Sequence, residues 1–139
     1  MLVQIVWGAT NYKRLRTEAV VAERFNILNP TKPLKSSYVQ DVLSKEKGTF
    51  VSVSDNVRMV AEQIRKWVPG PYVVLGTDGF GRSDTRENLR RFFEVDAEST
   101  VIATLNQLAQ DGHIDRQVVA DAMKKFKIKS DKSHPILSI

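Results

Sequence analysis

The chain has no cysteine, which excludes disulfide bonds, a thiolate nucleophile and a thiolate metal site. A disulfide scaffold is also unnecessary, because 139 residues can form one domain that buries roughly two thirds of its unfolded surface. Cysteine-free chains fit a reducing compartment, so we expect this protein in the cytoplasm.

Long apolar runs are absent as well. No run approaches the roughly 20 apolar residues that a membrane-spanning helix needs. Residues 1–7 lack the basic start and the length of a signal peptide. These absences predict a soluble protein without a membrane partner.

Positive charge is in excess, but it is not concentrated in one segment. The formal net charge is +5 and the pI is about 9.6. Basic residues are spread from Lys13 to Lys132, with acidic residues among most of them. Because binding to a phosphate backbone needs clustered cations, this distribution predicts no nucleic-acid partner.

Residue patterns predict three strands, at 2–7, 49–53 and 72–75, with helical segments between them. Parallel strands need crossovers of that length, whereas antiparallel strands do not. We therefore expect an α/β fold with three layers, α/β/α, around a short and mostly parallel sheet.

Helix starts are marked by residues whose side chains can accept hydrogen bonds from free backbone amides. The clearest apolar stripe runs from Val57 to Val68, where Pro69 ends it. The predicted caps, in chain order, are Asn11, Ser36 or Ser37, Ser54 with Asp55, Asp84 and Asp115.

After Asp96 the pattern contains helices alone. Gly112 separates two amphipathic segments, which predicts a C-terminal helical hairpin at 96–127. We expect it to pack on an α/β core at 1–95, with 128–139 as a tail.

The first predicted strand begins at Leu2, and three strands make a small sheet. A sheet of this kind leaves an edge or a gap that folded proteins normally cover. We therefore expect a fold truncated at its N-terminus, from a longer protein or dependent on a partner.

The most informative stretch is residues 76–84, here called the central turn. It follows the strand at 72–75 and leads into a helix predicted at 85–93, a context in which α/β proteins often place ligands and interfaces. Its glycines allow positive φ or close backbone approach. The candidate residues for an interface or an anion contact are Gly76, Asp78, Gly79, Gly81, Arg82, Asp84 and Arg86.

A phosphate-binding loop is the sharper interpretation of this turn. Gly76 and Gly81 have the required spacing, but Arg82 stands where such a loop has lysine, and two aspartates would repel phosphate. A tight turn that packs against a neighbour and caps a helix is favoured. An autonomous anion- or nucleotide-binding module remains the alternative.

Other catalytic groups are sparse. Ser83 would need a base, and the two histidines, His113 and His134, form no convincing triad with it. A metal site of His113 with Asp111 or Asp115 is conceivable, but a solvated histidine is favoured.

Arg86 and Arg90 lie one helical turn apart and could bind a carboxylate, although a solvated face is favoured. Trp7 and Trp67 are expected in the core. We assign no catalytic, cofactor-binding or metal residues.

The central turn and its surroundings resemble one known family. The residues that carry the resemblance are 75–90 (LGTDGFGRSDTRENLR), 93–96 (FEVD), 23–30 (ERFNILNP), 61–65 (AEQIR), 112–115 (GHID) and 118–122 (VVADA). Together they resemble the C-terminal domain of homodimeric bacterial pyruvate dehydrogenases, relatives of transketolase. The resemblance covers nearly the whole chain.

The resemblance implies a parent enzyme that oxidatively decarboxylates pyruvate and acetylates a lipoyl group, using thiamine diphosphate and magnesium. In that family the cofactor is held by larger upstream domains, and their motifs are missing here. The implied role is a structural, dimer-supporting part that is inactive alone and binds no cofactor. The implied partners are the remaining domains, a second copy, and the dihydrolipoyl acetyltransferase component. The family domain also has strands before 2–7, which fits the expected truncation.

Overall fold

The computed structural model describes residues 4–138. Its α-helices are, in chain order, α1 (Tyr12–Leu28), α2 (Tyr38–Leu43), α3 (Arg58–Glu62), α4 (Arg86–Phe93), α5 (Ala97–Gln110) and α6 (Arg116–Lys125). The strands are β1 (Phe50–Val53) and β2 (Tyr72–Leu75), and short 3₁₀ turns lie at Arg65–Trp67 and Pro135–Leu137.

The two strands form a parallel pair in which Phe50 is opposite Tyr72 and Val53 is opposite Leu75. Their connection passes through α3, as a parallel crossover requires. Short parallel strands and helices confirm the α/β class.

The strand predicted at 2–7 is wrong in the part that the structure describes. Residues 4–7 have no regular structure, and residues 2 and 3 lie outside the described residues. An apolar run becomes a strand only where a neighbour pairs with its amides and carbonyls. Between residues 4 and 138, the sheet has two strands rather than three.

The core lies where α1, α2 and the segment after α3 meet the sheet. Ala19, Val39, Ile64 and Trp67 form its buried cluster. Tyr12 reaches the sheet through a hydrogen bond of 2.7 Å between its hydroxyl and that of Ser52. The core position of Trp67 is confirmed.

Trp7 is not in this core, contrary to expectation, because 54% of its surface is exposed. It belongs to the segment that lacks regular structure. An indole on an unpaired segment has no sheet to hold it against the interior, which explains the error.

Capping predictions at three helices are confirmed. Asn11 accepts a hydrogen bond from the Arg14 amide at the start of α1. Ser37 forms a reciprocal capping box with Gln40 at α2. Asp115 accepts from the Gln117 amide at α6.

Two other helix starts differ from the prediction. The Ser54 hydroxyl instead accepts from the Asn56 amide, and α3 begins at Arg58 without a side-chain cap. The long helix expected over 57–68 is replaced by the short α3 and a 3₁₀ turn. At α4 the cap is Thr85 rather than Asp84.

The helices after residue 96 make different contacts from those before it. α5 contacts both strands and also packs along α6. No residue of α4, α5 or α6 is fully buried. Among residues 4–138, none of the helices has the length and apolar character required to cross a bilayer.

Candidate functional site

The central turn begins with a close approach between two backbones. The Thr77 amide donates to the Asn56 carbonyl at 3.0 Å, and the Thr77 hydroxyl donates to the Asp55 carbonyl at 2.8 Å. A Cβ atom on Gly76 would lie 2.6 Å from the Asn56 oxygen and 2.8 Å from the Arg58 nitrogen. Glycine is therefore required here by space.

Asp78 is held by the residue that begins α3. Its Oδ2 atom accepts a hydrogen bond from the Arg58 amide at 3.2 Å. The same oxygen lies 3.0 Å from Arg58 Nε, which nevertheless lacks an aligned hydrogen-bond partner. That second contact is charge attraction, and the carboxylate is occupied within the chain.

Gly79 lies against the segment at 134–138. It has a φ of +123°, and a Cβ atom there would be 2.7 Å from the Pro135 carbonyl oxygen. His134 Nε2 lies 2.9 Å from Arg58 Nη2, and its Nδ1 faces the Ile136 amide at 3.2 Å. Both partners are donors, so a neutral imidazole, with one acceptor nitrogen, accepts from only one of them.

The tip of the central turn faces outward. Phe80 is 69% exposed, and a Cβ atom on Gly81 would meet nothing within 4 Å. The Arg82 guanidinium lies over the Phe92 ring, 4.2 Å from its centroid. This cation–π contact fixes Arg82 against α4.

The end of the turn leads directly into α4. Asp84 Oδ1 accepts from Asn88 Nδ2 at 2.8 Å and from the Thr85 amide at 2.7 Å. These hydrogen bonds, that from Asn88 first, lower the pKa of the Asp84 carboxyl. Asp84 thus supports the helix start, although Thr85 is the cap.

Arg86 and Arg90 are both exposed and lie one turn apart on α4. In the part of the chain that the structure covers, no carboxylate lies within ion-pair distance of either residue. Their side chains could contact a carboxylate of another molecule.

The seven predicted site residues therefore divide into two groups. Gly76, Asp78 and Gly79 contact segments that are distant in the sequence. Gly81, Arg82, Asp84 and Arg86 are exposed, and the contacts of Arg82 and Asp84 are with α4 and its cap. Sequence reasoning missed Arg58 and Pro135, which hold the first group. Pro135 is 56 positions from Gly79 in the sequence, so no local pattern could have indicated that contact.

The histidines do not form a catalytic or metal site with the residues proposed for them. Ser83 is exposed, and the ring of His134 faces Arg58 and Ile136. His113 and Asp111 border an open groove of about 330 Å³ beside Lys47. Across residues 4–138, no three side chains of His, Asp or Glu are grouped to hold a metal ion.

A second groove, of about 340 Å³, lies between α1 and the loop that precedes α2. Trp67 lies on its wall and donates from Nε1 to Glu23 Oε1 at 3.0 Å. Lys66 lies 2.6 Å from the same oxygen, and its hydrogen bond, followed by that of Trp67, lowers the pKa of Glu23. The Glu23 carboxylate is thus used internally.

The sequence of the chain was compared with those of known proteins and protein families. The sequence model of the transketolase-like TK C-terminal domain matches residues 3–96. Three bacterial proteins named pyruvate dehydrogenase E1 component are also similar. Identity is 47% with that of Cupriavidus necator, over 94% of this chain and 15% of the relative.

Two further relatives agree with the first. The Pseudomonas aeruginosa protein is 45% identical over 94% of this chain, and that of Escherichia coli K12 is 45% identical over 96% of it. Each alignment covers 15% of the relative, so the chain spans about a seventh of the length of these proteins. The chain belongs to the transketolase-like TK C-terminal domain family and is homologous to the C-terminal region of bacterial pyruvate dehydrogenase E1 components.

Proposed function

We propose that this chain forms the C-terminal part of a pyruvate dehydrogenase and acts there as a structural, dimer-supporting unit. The observation that carries the proposal is the extent of similarity: identity of 45–47% covers 94–96% of the chain but 15% of the relatives. The parent enzyme would decarboxylate pyruvate oxidatively and acetylate a lipoyl group.

We further propose that residues 1–95 form the domain core, that 96–127 form a helical hairpin packed on it, and that 128–139 are a tail. The match of the family model to residues 3–96 supports the first boundary. Contacts of α5 with both strands and with α6 support the second. In this arrangement helices cover both faces of a sheet that is truncated relative to the parent domain.

The residues present do not fit thiamine diphosphate with its magnesium. Asp78, the carboxylate nearest the start of the turn, already contacts Arg58, and the backbone around Gly79 lies against Pro135. No three carboxylate or histidine side chains are grouped for a cation between residues 4 and 138. We therefore propose that the isolated chain neither binds this cofactor nor decarboxylates pyruvate.

Exposed aromatic side chains support a role in association. Trp7 and Phe80 are 54% and 69% exposed, and aromatic residues are enriched at protein interfaces. We propose that such surfaces contact the remaining domains and a second copy of the enzyme, and that the assembly works with a dihydrolipoyl acetyltransferase. We propose a cytoplasmic location, which the lack of cysteine also fits.

A chimeric enzyme tests this function. The matching segment of the Escherichia coli pyruvate dehydrogenase E1 component would be replaced by this chain, and pyruvate decarboxylation and dimer mass would be measured. We expect an active dimer, and an enzyme with the segment deleted should lack activity. An inactive chimera with a correctly folded insert would contradict the proposal.

The free chain provides the complementary test. Calorimetry with thiamine diphosphate and magnesium should give no heat of binding, and no carbon dioxide should form from pyruvate. Tight, magnesium-dependent binding by the free chain would show that the cofactor is held here and would overturn the inactive role.

A further inference from the structure

The outward face of α1 has an arrangement that the core does not explain. Ala19 and Ala22 are buried on the inner side of this helix. On the outer side, Arg24 is surrounded by four apolar residues at the positions three and four residues before and after it. These are Val20, Val21, Ile27 and Leu28, which are 41%, 62%, 76% and 58% exposed.

Residues three and four apart are neighbours on a helix surface, so this patch is continuous. We call it the Arg24 patch. A surface helix normally exposes polar residues on its outer face, so four exposed apolar side chains around a cation indicate a covered surface.

Arg24 has no ion-pair partner within the described part of the chain. The nearby carboxylate of Glu18 accepts from the Tyr38 amide, and that of Glu23 contacts Lys66 and Trp67. The guanidinium is available for an external partner.

The surrounding segment is strongly basic. Residues 12–38 contain six basic and two acidic residues, and both acidic side chains are used as described above. Lys13, Arg14 and Arg16 are exposed on the first turns of α1. Such a field attracts an acidic partner.

We propose that the Arg24 patch is a docking site for an amphipathic, acidic protein segment that places a carboxylate against Arg24. An arginine guanidinium can donate two parallel hydrogen bonds to the two oxygens of a carboxylate. The four apolar residues would contact apolar side chains of the partner and exclude water around the ion pair. Arginine is enriched at interface hot spots, and the contacts that surround such a residue exclude water from it. This proposal does not depend on the identity of the parent enzyme.

A lipid bilayer fits this patch less well than a protein does. A helix lying on a membrane keeps its cations on the polar side and its apolar residues on the other. Here Arg24 lies amid the apolar residues, so burial in lipid would remove water from its charge without supplying a fixed carboxylate. Nucleic acid fits poorly too, because four apolar side chains make no favourable contact with phosphates.

The C-terminal end of α1, which carries Ile27 and Leu28 of the patch, is held by contacts with the loop that follows it. Asn26 accepts from the Lys35 amide and donates to the Lys35 carbonyl, each at 2.8 Å. Lys35 Nζ also lies 3.8 Å from the centroid of the Phe25 ring. A surface fixed in advance loses less conformational entropy when a partner binds.

Three matched peptides test the proposal. Each is a 20-residue helix former with one leucine face and carries Glu, Gln or Lys at one central position of that face. Fluorescence anisotropy would measure binding to the full chain. We expect the Glu peptide to bind at least about tenfold more tightly than the Gln peptide, because a charged hydrogen-bonded pair forms. The Lys peptide should bind most weakly.

Charge reversal provides the control. Arg24→Glu should invert the preference so that the Lys peptide binds best, whereas Arg116→Glu, the same change at an exposed site on α6, should leave the order unchanged. Circular dichroism would check that both variants fold.

The lipid and nucleic-acid alternatives are tested with two competing probes, which are vesicles with phosphatidylserine and a single-stranded oligonucleotide. Equal binding of the three peptides, an unchanged order in Arg24→Glu, or tighter binding to either competing probe would overturn the proposal.

Discussion

The part of the chain before residue 76 and the part after residue 84 are stabilised in different ways. Among residues 4–138, the seven buried hydrophobic residues of the core lie between Ala19 and Val74, and in the second part Pro135 is buried as well. Helices α4, α5 and α6 contain no fully buried residue, although they begin at polar caps as α1 and α2 do. The comparison indicates an apolar core in the first part and polar contacts that fix the second.

Arg91 illustrates the second kind of contact. Its Nη1 atom donates to Asp96 Oδ2 at 2.9 Å, and Nη2 donates to the Phe126 carbonyl. Lys132 similarly donates to the carbonyls of Arg91 and Phe92 at 2.8 and 2.7 Å. These bonds join α4, the start of α5, the end of α6 and the segment that follows.

The largest change in stability is expected in the apolar core of the first part. Trp67→Ala should lower the free energy of unfolding by about 3 to 5 kcal/mol, because it removes a buried ring and leaves a cavity. Chemical denaturation would measure the change. Trp7→Ala, which alters an exposed indole, should change it by less than about 0.5 kcal/mol. Leu105 is at a half-buried position of α5. If Leu105→Ala lowered the free energy of unfolding as much as Trp67→Ala, the two parts would not differ in how they are stabilised.

An intermediate effect is expected where the two parts join. Gly76→Ala should cost about 1 to 3 kcal/mol, because its methyl group would overlap the backbone of Asn56 and Arg58. Gly81→Ala is the matched control, since a methyl group there has open space. Equal denaturation midpoints for the two variants would show that the turn adjusts and that its backbone contact is not restrictive.

The smallest change in stability is expected for the polar contacts of the second part. Arg91→Met should cost about 1 kcal/mol at neutral pH, because charged hydrogen bonds at a partly exposed site are lost. Denaturation at a series of pH values would measure it. Arg90→Met, at an exposed position of the same helix, should change stability by less than about 0.5 kcal/mol.

The pH dependence of that effect follows from Asp96. Burial opposes ionisation of Asp96, but hydrogen bonds from Ser99 and the contact with Arg91 outweigh it, so its pKa falls below the ordinary 3.8. A lowered folded pKa stabilises the protein above the unfolded value, and the contribution is lost as the pH falls through the folded value. The difference in free energy of unfolding between Arg91→Met and the unsubstituted chain should therefore shrink below pH 3.8. A difference that stays constant into acid would show that Asp96 is not involved.

Local sequence patterns predicted much of this fold because the responsible contacts are local. Asn11, Ser37 and Asp115 cap helices through amides two or three residues away. The strand expected at 2–7 failed over residues 4–7 because strand formation depends on a pairing neighbour, which a local pattern does not contain.

The site was predicted less completely. The spacing of glycines in the central turn indicated close approach, and Gly76 and Gly79 show it. What they approach could not be predicted, since Asn56, Arg58 and Pro135 are distant in the sequence. The interruption after α3 was missed because an apolar stripe at helical spacing is also satisfied by a short helix followed by a 3₁₀ turn.

The contact of Arg58 with His134 has a consequence for the order of folding. These residues are 76 positions apart, so their contact closes a long loop of the chain at an entropic cost. Contacts between distant residues require closure of long loops, and they form slowly. We expect the turn around Gly79 to reach its final geometry late, after the core around Trp67 has formed. Newly made chains would then expose this turn to chaperones and proteases for longer than they expose the core.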